Sequence, residues 1–213
     1  MTKDEVRKAM LLYAVTDRAW TKGRTLLEQI EDALEGGVTC IQLREKELDD
    51  AAFFDEAIKV KALCQKYKVP FIVNDSVEVA VKAGADGVHV GQGDLPLFEV
   101  RKMCGKNMLI GVSAQTVAQA LEAEQNGADY LGGGAVFPTS TKKDADAVSL
   151  ETLKEICSSV SIPVVAIGGI SKANMAKLKG SGIAGVALVS AIFAAENIKA
   201  ECCVLKKAAM ELI

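Results

Sequence analysis

Lys82-Ala83-Gly84-Ala85-Asp86-Gly87-Val88-His89-Val90-Gly91 decides the fold. It reads as a helix end, a glycine-containing turn and a short apolar strand closing on another glycine. The same phrase returns as Gln125-Asn126-Gly127-Ala128-Asp129-Tyr130-Leu131-Gly132-Gly133-Gly134 and as Gly180-Ser181-Gly182-Ile183-Ala184-Gly185-Val186-Ala187-Leu188-Val189-Ser190. The apolar runs are mostly continuous rather than alternating, as in parallel strands covered on both faces. Parallel neighbours need a crossover between them, most often a helix, so each phrase predicts a βα unit.

Working outward, runs of the same kind lie at Leu11 to Thr16, Thr39 to Leu43, Pro70 to Val73, Gly87 to Val90, Leu109 to Val112, Tyr130 to Val136, Pro163 to Ile167 and Gly185 to Val189. Helical signals alternate with them. Thr25 with Glu28 makes a capping box, and Gly36-Gly37 ends the helix it starts. Thr116 with Gln119 makes a second, closed by Asn126-Gly127, while Asp49 or Asp50 starts a longer helix to Leu63. Leu150 to Ile156, Asn174 to Leu178 and Ile198 to Leu212 continue the series, and Thr2 with Glu5 adds a short helix before the first strand. About eight units at a spacing of roughly 25 residues fit a closed barrel. The expectation is therefore an α/β protein: one (β/α)8 TIM-barrel domain over residues 1–213 with a short extra N-terminal helix. An open doubly wound sheet is the alternative, but the first strand lacks the G-x-G-x-x-G turn of a dinucleotide site.

Half of the 213 residues are apolar, and a chain of this length buries roughly 70% of its unfolded surface without help from metals or disulfides. A net charge of -3 gives no bulk attraction for nucleic acid or anionic membrane, yet allows a small basic pocket. Six cysteines without a CxxC pair read as reduced thiols. The N-terminus has no apolar signal region, and no apolar run reaches the ~18 residues of a membrane span. The expected location is the cytoplasm. The oligomeric state stays open, a homo-oligomer included.

In such barrels the active site lies at the C-terminal strand ends, and unusual polar residues collect there. Gln42, Arg44 and Lys46 share one strand face by their spacing of two. Arg holds phosphate bidentately and Lys adds a compact charge, against a plain reading as a charged turn. Asp75 and Asp94 end neighbouring strands. They suit magnesium, which takes one or two carboxylates plus substrate phosphate oxygens, and they equally suit helix N-caps. Pro138-Thr139-Ser140-Thr141-Lys142 reads as an anion cradle or a solvated loop, and Lys143-Asp144-Ala145-Asp146 continues it as a lid segment. Gly168-Gly169 and Val189-Ser190 follow strands seven and eight, where barrels frequently bind phosphate through backbone N–H groups. His89, the one histidine, reads as a hydrogen-bonded barrel residue. No Ser–His–Asp or Cys–His set emerges, so general-base hydrolysis has little support.

Together the motifs IQLREK, FIVND, GVHVGQGD, GVSAQT, VFPTSTK and AIGGI, in that order at successive strand ends, resemble the thiamine-phosphate synthase family over nearly the whole chain. The resemblance implies a transferase of thiamine biosynthesis. It joins a hydroxymethylpyrimidine diphosphate to a thiazole phosphate, releasing diphosphate, and carbon dioxide when the thiazole carries a carboxylate. It implies that Gln42, Arg44, Lys46, Asn74, Ser113 and Lys142 bind the pyrimidine diphosphate, with Arg44, Lys46, Ser113 and Lys142 the catalytic groups. It further implies that Asp75 and Asp94 hold one magnesium ion per subunit. Thr139, Ser140, Thr141, Gly169, Val189 and Ser190 would take the thiazole phosphate. Diphosphate leaves first and the thiazole nitrogen attacks the resulting cation, so no protein nucleophile is needed. A related thiazole tautomerase carries a histidine two residues after the Ser113 position, where this chain has Gln115. A non-catalytic binder of thiamine phosphates is the other alternative.

Overall fold

A computed structural model describes residues 1–139 and 147–213. Its elements run α1 (Lys3–Ala9), β1 (Leu12–Val15), α2 (Leu26–Glu35), β2 (Cys40–Leu43), α3 (Asp50–Tyr67), β3 (Phe71–Asn74), α4 (Val77–Ala83), β4 (Gly87–Val90), α5 (Leu97–Cys104), β5 (Leu109–Ala114) and α6 (Val117–Gln125). They continue with β6 (Tyr130–Gly133), α7 (Leu150–Ser159), β7 (Val164–Ile167), β8 (Gly185–Leu188), α8 (Ser190–Phe193) and α9 (Ile198–Met210). All eight strands pair in parallel with their sequence neighbours, and β8 closes on β1 with Tyr13 opposite Ala187. The expected closed barrel is the observed one.

Local signals explain most of the helix starts. Thr2 and Thr25 form complete capping boxes with Glu5 and Glu28. Asp49 starts α3 by accepting from Ala52 N at 2.9 Å. The Thr116 box is half made: Thr116 accepts from Gln119 N, but the Gln119 side chain accepts instead from Gln115 N at 2.7 Å. Asn174 to Leu178 is a correction. It forms only a four-residue 3-10 turn, Met175–Leu178, because Asn174 spends its side chain on Ser171 N and Gly169 O rather than on a helix N-terminus. Strand β5 runs two residues further than expected and so carries Ser113, while β6 stops at Gly133.

Alternation along each strand splits the core in two. Leu12, Ala14, Ile41, Leu43, Phe71, Val73, Val88, Ile110, Leu131 and Val186 point outward into the layer shared with the helices. Tyr13, Val15, Cys40, Ile72, Leu109, Tyr130, Val165 and Ala187 fill the barrel interior. Val6, Ala9 and Met10 belong to that inner cluster, so α1 stoppers the N-terminal mouth and leaves the opposite mouth for chemistry. Among the described residues no helix is long and apolar enough to cross a membrane.

Candidate active site

The end of β1 holds the end of β2 in place. Thr16 is buried, and its hydroxyl accepts from Arg44 N at 2.9 Å. Asp17 spends one carboxylate oxygen on Ala19 N, 3.0 Å away, and offers the other to the Arg44 guanidinium at 3.2 Å. Glu45, in the loop after β2, accepts from Arg18 Nε at 2.8 Å, and Arg18 also reaches Glu56 of α3 at 3.3 Å. Gln42 is inside the barrel, and β2 ends at Leu43, so Arg44 and Lys46 follow in the loop rather than on the strand face that their spacing predicts.

Lys46 and β3 meet next. Lys46 Nζ lies 2.6 Å from Asp75 Oδ2, and Asn74 Nδ2 lies 2.8 Å from Asp75 Oδ1. Asp75 N donates to His89 O at 2.8 Å, which ties this turn to β4. Asp75 has φ +62°, the left-handed region that L residues with a β-carbon rarely enter. Neither acid is an N-cap. Ser76 caps α4 by accepting from Val79 N, and α5 starts at Pro96 with no side-chain cap. Asp94 Oδ2 instead accepts from Gly91 N at 2.7 Å, folding the β4 loop back on itself. The cap alternative thus fails for both residues. Asp75→Ala is expected to be less stable than Asp75→Gly by about 1 kcal/mol, because only glycine removes the β-carbon from a left-handed backbone. Equal urea midpoints for the two variants would contradict that account of the turn.

Ser113 on β5 is reached through the barrel interior. Gln42 Nε2 donates to Tyr13 OH at 2.7 Å, and Tyr13 OH lies 2.8 Å from Tyr130 OH. Tyr130 OH lies 3.1 Å from His89 Nδ1, and His89 Nε2 lies 3.0 Å from Ser113 Oγ. The rings of Tyr13 and Tyr130 meet edge to face at 6.0 Å, and His89 lies tilted on Tyr130 at 5.5 Å. Gln92 Nε2 donates to Ser113 O at 2.7 Å, so the loop after β4 also holds the Ser113 backbone. Sequence reasoning did not find Tyr13 or Tyr130. The available signal was phase: both fall on inward strand positions, where a buried hydroxyl needs a partner.

Burial drives the ionisation of both phenols well above the ordinary tyrosine value. A raised folded-state value stabilises the fold below the unfolded phenol's value of about 10 and is lost as pH climbs beyond it. Alkaline titration should therefore ionise Tyr67 in the folded protein, with Tyr13 and Tyr130 appearing only on unfolding. The urea midpoint should fall above pH of about 10. Three tyrosinates in the folded state would overturn this.

The other side of the mouth is built from backbone. Gly168 and Gly169 have φ +98° and +62°. A β-carbon on Gly169 would strike the Phe137 and Pro138 carbonyls, so loop packing against the end of β6 already demands glycine there. Phe137 N donates to Gly168 O at 3.1 Å, joining the Thr139 loop to β7. Val189 precedes α8 with no side-chain cap, and Ser190 is its exposed first residue. Ser140, Thr141 and Lys142 lie outside the described residues, as does the Lys143 to Asp146 lid segment.

Strands β2 to β5 and the loops after them carry Gln42, Arg44, Lys46, Asn74, Asp75, Asp94 and Ser113, while the segments after β6 to β8 carry Thr139, Gly169, Val189 and Ser190. A closed barrel with cations and carboxylates on one half of its mouth and glycine-rich backbone on the other belongs to the phosphate-handling (β/α)8 enzymes. More specifically, the chain belongs to the thiamine monophosphate synthase family, whose profile matches residues 12–192. Thiamine-phosphate synthase of Clostridium acetobutylicum is 52% identical over 188 residues, 88% of this chain and 89% of that protein. The Ruminiclostridium cellulolyticum thiamine-phosphate synthase is 53% identical over 188 residues, 88% of this chain and 90% of its own length. Among solved structures, thiamine phosphate pyrophosphorylase from Pyrococcus furiosus superposes with a TM-score of 0.91 at 39% identity, covering 98% of this chain and 99% of that one.

Proposed function

We propose that this chain is a thiamine-phosphate synthase acting on a hydroxymethylpyrimidine diphosphate and a thiazole phosphate. The observation that carries the reading is the half-mouth of β2 to β5, where Asp75 holds both Lys46 and Asn74, Asp17 holds Arg44, and Ser113 is reached from Gln42. The pyrimidine diphosphate is assigned to Gln42, Arg44, Lys46, Asn74, Ser113 and Lys142. The thiazole phosphate is assigned to Thr139, Ser140, Thr141, Gly169, Val189 and Ser190. A cytoplasmic setting is part of the proposal and is supported by six unpaired cysteines.

The chemistry asks little of the protein in covalent terms. The methylene C–O bond breaks and the diphosphate leaves with the electron pair. The thiazole nitrogen then supplies its lone pair to the methylene carbon, closing the new C–N bond. When the thiazole carries a carboxylate, carbon dioxide departs and the ring carbon takes a proton. Arg44, Lys46 and Lys142 offset charge on the leaving group, and Gln42 and Ser113 align the ring. Asp75 and Asp94 offer two hard oxygen donors at neighbouring strand ends. That is too few for an all-protein cage and suits magnesium brought in with a diphosphate. When bound, magnesium would screen the diphosphate oxygens and make them a better leaving group.

Purified protein given both substrates and magnesium should form thiamine phosphate, and a chelator should stop it. Folded protein that binds the ligands but turns nothing over would favour a sensor instead.

A further inference from the structure

We propose that Gln42, Tyr13, Tyr130, His89 and Ser113 form a directional hydrogen-bond relay that fixes His89 as its Nε2–H tautomer and turns the Ser113 hydroxyl proton toward bound substrate. The substrate part rests on the synthase reading above; the relay itself does not.

The direction follows from counting protons. The Gln42 amide nitrogen can only donate, so Tyr13 OH accepts from it at 2.7 Å. The one Tyr13 hydroxyl proton then goes to Tyr130 OH, 2.8 Å away. Tyr130 in turn has one proton to give, and its remaining partner among the described residues is His89 Nδ1 at 3.1 Å. That nitrogen must be bare to accept. In a neutral imidazole the proton then sits on Nε2, which donates to Ser113 Oγ at 3.0 Å. Ser113 receives that bond and keeps its own proton to donate. At the other end, Gln42 gives its nitrogen to Tyr13 and keeps its carbonyl oxygen as an acceptor. The relay therefore presents a donor on β5 and an acceptor on β2.

Burial favours such a chain. Tyr13, Tyr130 and Gln42 are all buried, where an unpaired hydroxyl or amide is costly. Burial also keeps both phenols protonated, so each passes on one proton and the chain keeps its sense. Gly111 supplies the space: a β-carbon there would run into the Tyr130 ring and hydroxyl and into His89 Nδ1. Two strand residues thus act on the reaction through Ser113. Tyr130 and His89 are positioning residues in this account.

The test uses the fact that His89 is the only histidine. Tag-free protein labelled with 15N-histidine gives one pair of imidazole ring signals, and no variant is needed for the first result. The relay requires a protonated, pyrrole-like Nε2 and a bare, pyridine-like Nδ1 at pH near 8. Tyr130→Phe should spread the proton over both nitrogens and lower kcat by about tenfold with little change in KM, the worth of one directed hydrogen bond. A wild-type Nδ1–H tautomer would overturn the relay, and so would a folded Tyr130→Phe protein whose ring signals are unmoved. A wild-type Nε2–H signature in protein that makes no thiamine phosphate would keep the relay and remove the synthase reading.

Discussion

Alanine in place of Arg44 should lower turnover by about 10²–10³, the usual loss when one transition-state electrostatic contact is removed. The fold should survive. The Arg44 backbone bond to Thr16 does not depend on the side chain, and the partner left behind, Asp17, retains its bond to Ala19 N. Arg44→Lys restores charge without the planar fork and should recover only part of the rate. The check is kcat for each variant beside its urea midpoint. Turnover within threefold of wild type in Arg44→Ala would take this guanidinium off the diphosphate, whatever happened to stability.

Gly111→Ala should cost about 3 kcal/mol of stability, at the upper end of the ordinary range for overpacking a filled core. The new methyl group would occupy the place of the Tyr130 ring, and Tyr130 has no room to retreat. It is fully buried, edge to face with Tyr13 and bonded to His89. For a domain of this size the melting temperature should drop by roughly 6–12 °C. Gly93→Ala is the control, since nothing lies within 4 Å of a β-carbon there. Equal midpoints for the two variants would mean that the barrel interior yields easily, and the rigid polar chain through it would lose its footing.

The barrel was legible because its grammar is local. Continuous Val- and Ile-rich runs, glycine punctuation and threonine caps each follow from short-range physics, and eight such units leave few ways to close. The charged half of the site was legible as a run of polar residues at a strand end, although β2 stops at Leu43 and leaves Arg44 and Lys46 in the loop beyond it. What stayed hidden depends on contacts across the barrel. Tyr13 and Tyr130 are 117 residues apart and bond at 2.8 Å, and nothing in either neighbourhood names the other. The role of His89 was open because Ser113 and Tyr130, which its ring meets, come from β5 and β6. Asp75 and Asp94 could be read as caps or ligands until Ser76 and Pro96 were seen at the helix starts. Gly169 carries the opposite lesson, because packing against Phe137 and Pro138 explains its identity without any ligand.

The central claim is that one mouth of this barrel couples two phosphorylated substrates. The direct measurement is the stoichiometry of diphosphate release against thiamine phosphate formation by the purified protein, with both substrates and magnesium present. The account predicts equal amounts of the two products, and neither product nor altered thiazole phosphate when the pyrimidine diphosphate is left out. Isomerised thiazole phosphate with the pyrimidine diphosphate left intact would contradict it and point to the tautomerase chemistry instead.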